Sequence, residues 1–388
     1  MEKSNKRNDK KQNIIMRVIV AGDFCERYRV ADAVENENYE QLFDSEVCSC
    51  IKAADYSLVN FEFPIVVGDK TPIEKCGPNL KGTPQSINAI KYAGFKGVTL
   101  ANNHSGDFGP DALIDTRQLL QQNGVDTVGV GANLEESKKV LYKTINGKVL
   151  AIINCCEHEF GIATHITPGA NPLNPVQQYY SILEAKKNAD YVMVIVHGGH
   201  EHWQLPSLRM VETYRYFIDC GADAVVNHHQ HCYSGYEVYK GKPIFYGLGN
   251  FCFDIEPMRT DDKWNYGCMA QIDFLESTIE YKLIPIKQCD ENVMVRLGNQ
   301  KDFDKKQSEL NTIIEDSNIL QQKNTDYYCD CMDFCRDIMN PTQNRYLKAL
   351  QRRKLLSSPV TRKWLTLVMN FTLCESHRDK MQYFFENN

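Results

Sequence analysis

The chain has 388 residues, 43% of them hydrophobic, and a formal net charge of -6. That is enough for one large α/β domain with an appendage, and the net acidity excludes a general nucleic-acid binder, which would be basic. No stretch reaches the roughly 18 consecutive apolar residues needed to span a bilayer. The fifteen cysteines are scattered and odd in number, and the polar opening Met1-Glu-Lys-Ser-Asn-Lys-Arg carries no export signal or anchor. They read as reduced thiols of a cytoplasmic protein, not as a disulfide framework.

After a flexible tail over 1–16, residues 17–22 read as a buried strand with Asp23 at its end. Residues 40–54 have the pattern of a helix, and Ser57-Leu-Val-Asn-Phe-Glu-Phe63 is a second strand carrying Glu62. Residues 69–84 are rich in Pro, Gly and Lys and form a loop, from which Thr83-Pro84 starts a helix that ends at Gly94. A third strand, 97–101, runs into Asn102-Asn103-His104, and a helix over 110–122 stops at Asn123-Gly124. A short strand covers 127–130, and Asn146-Gly147 joins 140–145 and 148–154 as a hairpin. Residues 157–178 have the polar, proline-containing composition of a lid or substrate loop.

A fully buried strand over 190–196 ends in His197-Gly-Gly-His-Glu-His202. A helix over 206–219 leads to strand 224–226 and the run Asn227-His228-His229-Gln230-His231. Residues 236–239 and 244–248 form a second hairpin, and strands at 268–274 and 279–286 close a domain spanning 17–288. Strands alternating with helices, then hairpins, indicate an α/β fold with a mixed sheet or two packed sheets and helices outside. Residues 289–388 are polar, helical in propensity and free of strand patterning, a separate C-terminal helical region.

Nine of the ten histidines lie between His104 and His231. Five strand ends deliver ligand-type side chains: Asp23, Glu62, Asn103 with His104, His197, and His229 with His231. Singly, each has an ordinary reading. Asp23 suits a turn or a helix cap, Glu62 a solvent-facing position between Phe61 and Phe63, and Asn102 and Asn103 a turn. His197 suits a core edge, and the three later histidines a surface loop. Their coincidence at five strand ends favours one site, because open α/β sheets build sites beyond the carboxyl ends of their strands. His229 and His231 put two imidazoles on one side of an extended backbone, for one metal or for two adjacent ones. Carboxylates, an amide oxygen and imidazoles suit divalent Mn, Fe, Zn or Co better than calcium. A carboxylate shared by two such ions about 3.5–4 Å apart activates hydroxide for attack on a phosphoryl or similar centre.

The ordered motifs Gly22-Asp23, Asn60-Phe-Glu62, Ala101-Asn-Asn-His104, His197-Gly-Gly, His228-His-Gln-His231 and Tyr246-Gly-Leu-Gly-Asn-Phe-Cys-Phe-Asp254 carry a resemblance. Over roughly residues 17–286 the chain resembles the poly-γ-glutamate capsule-synthesis (CapA-like) family of the calcineurin-like metallophosphatase superfamily. The resemblance implies a four-layer α/β/β/α metallophosphatase-like sandwich with a dinuclear site. It implies that Asp23 and His231 hold a first metal, that Asn103, His197 and His229 hold a second, and that Glu62 bridges them. His104 becomes the general acid or a transition-state contact, as a histidine near neutral pKa can be.

There are departures. Cys25 stands where the superfamily's first motif has a histidine, and is either a thiolate ligand or a plain buried cysteine. Gln230 replaces a proline, and Gly198 a tryptophan. His200, Glu201 and His202 are either outer contacts or a polar loop, His228 is a neighbour of the ligands, and Asp107 either anchors its loop or orients an imidazole. Asp254 reads as structural, and Gly247, Gly249 and Asn250 as a tight turn near the site.

In the C-terminal region Cys329, Cys331 and Cys335 have no partner ligands to complete a zinc site, so they read as incidental to a helix. Residues 343–363 hold seven Lys or Arg and no acid, followed by Trp364-Leu-Thr-Leu-Val-Met369. This is either a solvated basic helix packed on the main domain or a contact to an anionic membrane or acidic polymer. The expected function is a metal-dependent hydrolase of a phosphoester or related bond, acting on a small molecule or polymer in capsule or exopolymer biosynthesis. The alternative is a non-catalytic polymer-handling or capsule-assembly factor on the same fold.

Overall fold

Along β1 (Met16–Cys25) the side chains sort by parity: Val18 and Val20 enter one apolar core, Ile19 and Ala21 another. A strand buried on both faces lies in a sheet covered on both sides. A computed structural model describes residues 14–332, 340, 342 and 344–373. The expected tail falls mostly in 1–13, and Cys335 in 333–339, outside the described residues.

From β1 the chain passes α1 (Arg29–Glu35) and α2 (Ser45–Lys52) to β2 (Tyr56–Phe61), and α3 (Gln85–Ala93) to β3 (Gly97–Thr99). It then passes α4 (Gly109–Gln122) to β4 (Asp126–Val128), and these four strands pair in parallel in chain order. β5 (Val130–Gly131) and α5 (Leu134–Ser137) lead to the hairpin β6 (Leu141–Ile145) and β7 (Lys148–Cys156). After β8 (Gly169–Ala170), which pairs with β5, come α6 (Pro175–Asn188), β9 (Tyr191–His197), α7 (Leu208–Cys220) and β10 (Ala224–His228). The hairpin β11 (Tyr236–Tyr239) and β12 (Lys242–Phe245) completes a second sheet, ordered β11-β12-β10-β9-β7-β6. The chain then returns to the first sheet. β13 (Asn250–Phe253) pairs with the end of β1, while β14 (Tyr266–Phe274), β15 (Ile279–Lys287) and β16 (Arg296–Leu297) extend the order to β16-β15-β14-β1-β2-β3-β4.

One core joins Val18, Leu58 and Ala270 of the first sheet to Ile152, Val194 and Val225 of the second, and continues under α6 and α7 through Ile182, Met210 and Phe217. The other packs Ile19 and Val59 beneath Val34, Ile51, Ile90 and Leu120 of α1 to α4. Two facing sheets with a helical layer outside each make the expected four-layer α/β/β/α sandwich.

The structure corrects several boundaries. Asp23 lies inside β1, where register shifts on both sides mark a bulge, and not beyond its end. Residues 40–54 divide into a turn of 3-10 helix at Tyr39–Gln41 and α2, whose start is capped by Asp44 accepting from Glu46 N. Residues 157–178 contain β8 and the start of α6, a helix the pattern did not show because its buried face is only Gln178, Ile182 and Ala185. Its cap-then-proline start was readable: Asn174 accepts from Val176 N and Gln177 N, with Pro175 next. The region after Cys289 was expected to lack strands, yet β16 pairs with β15 there, and α8 (Gln300–Glu315) buries Phe303, Leu310 and Ile314 in the inter-sheet core. That compact unit therefore runs to Leu320. The described residues from Gln321 form a second unit, with α10 (Arg345–Arg352) and α11 (Arg362–Leu373), and α9 (Ser317–Asp330) spans the division. No helix among the described residues is long and apolar enough to cross a membrane.

Candidate metal centre

Asp23 and Glu62 reach one point because β1 and β2 pair in parallel, with Asp23 beside Asn60 and Phe24 beside Phe61. A Cβ on Gly22 would lie 1.7 Å from the carbonyl oxygen of Gly249, so only glycine lets the 247–249 turn press on β1. Asp23 N donates to that same carbonyl at 3.2 Å. Glu62 N donates to Phe24 O, and Phe61 and Phe63 pack with Phe24 in the outer core. Alternation then sends Glu62 to the opposite face. That face is the closed space between the sheets and not solvent, so Glu62 is wholly buried.

His197 ends β9, and His228 ends β10 beside it in register. His229 and His231 do not continue an extended backbone as expected; their φ values are 91° and 54°. Positive φ on two imidazole residues is strain that the surrounding structure holds in place. It aims the two rings, 6.2 Å apart, at different neighbours.

Two groups of donors result. In one, Asp23, Glu62 and His231 offer atoms within 4.8 Å of one another; in the other, Glu62, His197 and His229 do. His231 Nε2 is 3.8 Å from Glu62 Oε1, and His231 Nδ1 is 3.5 Å from Asp23 Oδ2. His197 Nε2 is 3.7 Å from Glu62 Oε1, 3.0 Å from His229 Nδ1 and 3.0 Å from Asn103 Oδ1. Asn103 thus joins the second group. Its amide is oriented by Glu159, which accepts from the Asn103 side chain and so turns the oxygen towards the histidines.

The electrostatics differ between the groups. Burial and the neighbouring His229 and His228 push His197 well below its ordinary pKa, and burial takes His229 down to about 4. Burial also opposes charge on His231, but the Glu62 and Asp23 carboxylates outweigh it and carry the ring up to about 10. Asp23 is held low against its burial by His231 and His228, while burial and the charge of Asp23 drive Glu62 well above the carboxylate range. Glu62 Oε1, the atom common to both groups, is buried with no hydrogen-bond partner. An orphaned buried carboxylate oxygen is costly, and a divalent cation would satisfy it and relieve the repulsion from Asp23. The residues therefore fit the metal pair that the family resemblance implied.

Among the remaining candidates, His104 lies outside both donor groups. Its Nδ1 is 2.7 Å from Asp107 Oδ2, and burial keeps the imidazole below its ordinary pKa. Asp107, expected either to anchor the loop after His104 or to orient an imidazole, contacts the His104 ring and also accepts Leu80 N at 2.6 Å, which fastens the loop over 69–84. His228 Nε2 donates to Ala21 O at 3.0 Å and so ties the two sheets together. Cys25 sits in the outer apolar core with its thiol pushed up by burial, and is in neither donor group. Glu201 is outside both groups as well, but its charge acts on His231 and His229. Asp254 takes a two-pronged ion pair from Arg29, a structural tie.

Four contributors were not read from the sequence as members of the site. Asn60 donates to Asp23 Oδ1 at 2.8 Å and lies 3.3 Å from Glu62 Oε2; it was visible only as part of a motif. Asn250, read as a turn residue, accepts from His231 Nδ1 at 2.9 Å, while its own amide donates to the backbone of His231 and Trp264. That leaves His231 Nε2 facing Glu62. Glu159 came from the presumed lid. Lys75, from the loop over 69–84, is buried against Asp107 and His104.

The family described as "Bacterial capsule synthesis protein PGA_cap" matches residues 17–255, which hold every residue of both groups. The chain belongs to this family. It is 34% identical over 260 residues to the capsule biosynthesis protein CapA of Bacillus anthracis, covering 65% of this chain and 63% of that one. It is 33% identical over 244 residues to the PGA biosynthesis protein CapA of Bacillus subtilis, covering 62% and 64%. The match thus spans less than two thirds of those relatives' length. Among solved structures, a putative 5'-nucleotidase from Staphylococcus aureus in complex with alpha-ketoglutarate aligns at a TM-score of 0.43 and 15% identity, covering 76% of this chain and 58% of that one.

Proposed function

We propose that this member of the capsule-synthesis family is a metal-dependent hydrolase of a phosphoester or related bond, serving the making of a capsule or poly-γ-glutamate-type exopolymer. One observation carries the reading: a wholly buried, unpartnered carboxylate oxygen, Glu62 Oε1, shared by two donor groups. Asp23, Glu62 and His231 would hold one divalent transition ion of the Mn, Fe, Zn or Co type, and Glu62, Asn103, His197 and His229 a second. Such ions supply Lewis acidity at the scissile bond. His197 and His229 are neutral at pH 7 and so present lone pairs. His104, held through Nδ1 by Asp107, presents Nε2 to take up a proton from solvent and pass it to a leaving oxygen.

The test is elemental analysis of the protein after loading with Mn, together with turnover of bis(4-nitrophenyl) phosphate by wild type and Glu62→Ala, and of a phenyl phosphodiester, whose leaving group needs a proton, by wild type and His104→Ala. Metal content near two per chain, and turnover lost in both variants, is the expected result. Protein that takes up no transition metal, or variants as active as wild type, would sink the reading.

The second reading is a polymer-handling or assembly factor without turnover. It is favoured by the three-residue corner at Asp23, where Cys25 supplies no ligand. Wild type that binds metal and anionic polymer but hydrolyses no ester would establish it.

In the second unit, α10 and α11 expose Tyr346, Leu347, Trp364 and Met369 among basic residues, which fits the interface of an anionic membrane. Sedimentation with phosphatidylserine vesicles but not phosphatidylcholine vesicles is expected. Equal binding to both, or to neither, counts against it.

A further inference from the structure

The loop between β2 and α3 carries an ammonium into the interior of the protein. The Lys75 side chain is 1% exposed and that of Asp107 0%. Lys75 Nζ lies 2.5 Å from Asp107 Oδ1 and 3.1 Å from His104 Nδ1, and 5.1 Å from the ring centre of Phe160, which belongs to the segment expected as a lid. Burying a charged ammonium is unfavourable unless it is paired. Fastening the loop does not call for that expense, because Ile73 N already donates to Asp107 O and Leu80 N to Asp107 Oδ2.

The distances assign the protons. Nδ1 of His104 faces a donor, Lys75 Nζ, at 3.1 Å and an acceptor, Asp107 Oδ2, at 2.7 Å. Two bare acceptors would not approach to the shorter distance, so that contact places the hydrogen on Nδ1 and the ammonium hydrogens point to Oδ1. The ammonium then serves Oδ1 and stands beside the ring, leaving Asp107 with a separate donor on each oxygen. Without the ammonium, Oδ1 would be a buried anionic oxygen with no partner. The carboxylate would be held through Oδ2 alone, by Leu80 N and His104 Nδ1, and the imidazole would face an acceptor fixed at one oxygen only.

We infer that Lys75 is a positioning residue of the site: by occupying Asp107 Oδ1 it locks the Asp107 carboxylate and, through it, keeps the His104 hydrogen on Nδ1, so that Nε2 is the ring atom that takes up a proton from solvent and passes it to the leaving oxygen. The inference rests on the proposed role of His104 as proton donor, but its structural half can be measured without turnover.

The experiment uses the full chain as wild type, Lys75→Met, Lys75→Gln and Lys75→Arg, with His104→Gln to assign the ring. Long-range proton–nitrogen correlation spectra of the metal-free protein read the tautomer directly. The wild-type and Lys75→Arg spectra are expected to show His104 as Nδ1–H, and Lys75→Met a mixture of tautomers, with Lys75→Gln between them. In the Mn-loaded protein, Lys75→Met is expected to lose roughly 100-fold in kcat on a phenyl or alkyl phosphodiester, whose leaving group needs a proton. On the 4-nitrophenyl ester, whose leaving group needs none, kcat should change less than about 3-fold, and KM should hold for both. A merely structural lysine would lower both substrates alike and leave the tautomer as in wild type, which would overturn the inference. If Lys75→Met does not fold, Lys75→Gln decides by the same two readouts. A wild type that hydrolyses no ester removes the proposed function, while the tautomer measurement still decides whether Lys75 sets the ring.

Discussion

At one corner of the centre two buried carboxylates, Asp23 and Glu62, face the imidazole of His231; at the other, His197 and His229 meet an amide oxygen from Asn103 around the same glutamate. The carboxylate corner holds its own counter-charge: His231 is carried up to about 10, so it is protonated at neutral pH in the metal-free chain. The histidine corner is the reverse. Burial, with like neighbours added at His197, keeps both rings neutral. The difference teaches an order of loading, since a ligand must lose its proton before it binds. At pH 7 the two imidazoles of the histidine corner are already neutral, whereas His231 would have to give up a proton before it could hold a metal. Glu62, raised in its pKa, is common to both corners.

The most damaging way to probe this comparison is to remove what the corners share. Glu62→Ala should abolish binding at the carboxylate corner, weaken the other, and cost well over about 100-fold in turnover, since even an outer partner of a ligand costs 10–100-fold. Metal content and kcat measured together check it, and retention of two ions per chain would break the scheme.

Next comes the asymmetry itself. His231→Ala should leave about one ion per chain, held at the histidine corner, whereas His197→Ala should lose the tighter ion. Equal losses in the two variants would mean the corners are not distinct. Asn250→Ala should act on the carboxylate corner alone, weakening it roughly 10-fold or more by freeing His231 Nδ1.

The protonation difference can be read by calorimetry in buffers of different ionisation enthalpy. The weaker of two binding events at pH 7 should release about one proton, and its affinity should rise as pH climbs towards about 10. In the tighter event no proton should come from His197 or His229 above about pH 6, because both are already neutral, so any proton released there comes from Glu62.

The smallest expected effect is on stability. His229 titrates near 4 in the fold against about 6.5 when unfolded, so its contribution is complete above pH 6.5 and is lost as pH falls through about 4. His231 has the opposite sign: its contribution is present below pH 6.5 and lost as pH rises through about 10. Thermal melts of the metal-free protein should therefore fall off on both sides of neutrality. His229→Asn should flatten the acid side, and a variant that melts with the unchanged acid profile would contradict the assignment.

How much of this was legible depended on the range of the forces. The run of valines before His197 and the Asn146-Gly147 hairpin announced themselves, and the structure has β9 and the β6–β7 hairpin there. α6 was not read, because its apolar face is narrow and its start lies within a polar loop. The candidate ligands were visible as residue types at strand ends. Their grouping was not, since the left-handed turns at His229 and His231 redirect rings that an extended chain would place on one side. Lys75 was hidden for the opposite reason: in a loop rich in Lys, Pro and Gly, nothing local marks the one lysine that turns inward.

By itself the sequence determined the alternation of strands and helices, their caps and the chemistry waiting at their ends, because periodicity and capping act over a few neighbouring residues. Only the tertiary structure decided which faces are interior. Glu62 became an orphaned buried carboxylate and not a solvent-facing one because the second sheet closes over it, with His228 reaching Ala21 across 207 positions of chain. Cys25, two residues from Asp23, was left in the outer core for a related reason: the bulge in β1 shifts its register between them. Such outcomes depend on which distant strands pair, and no short-range pattern carries that information.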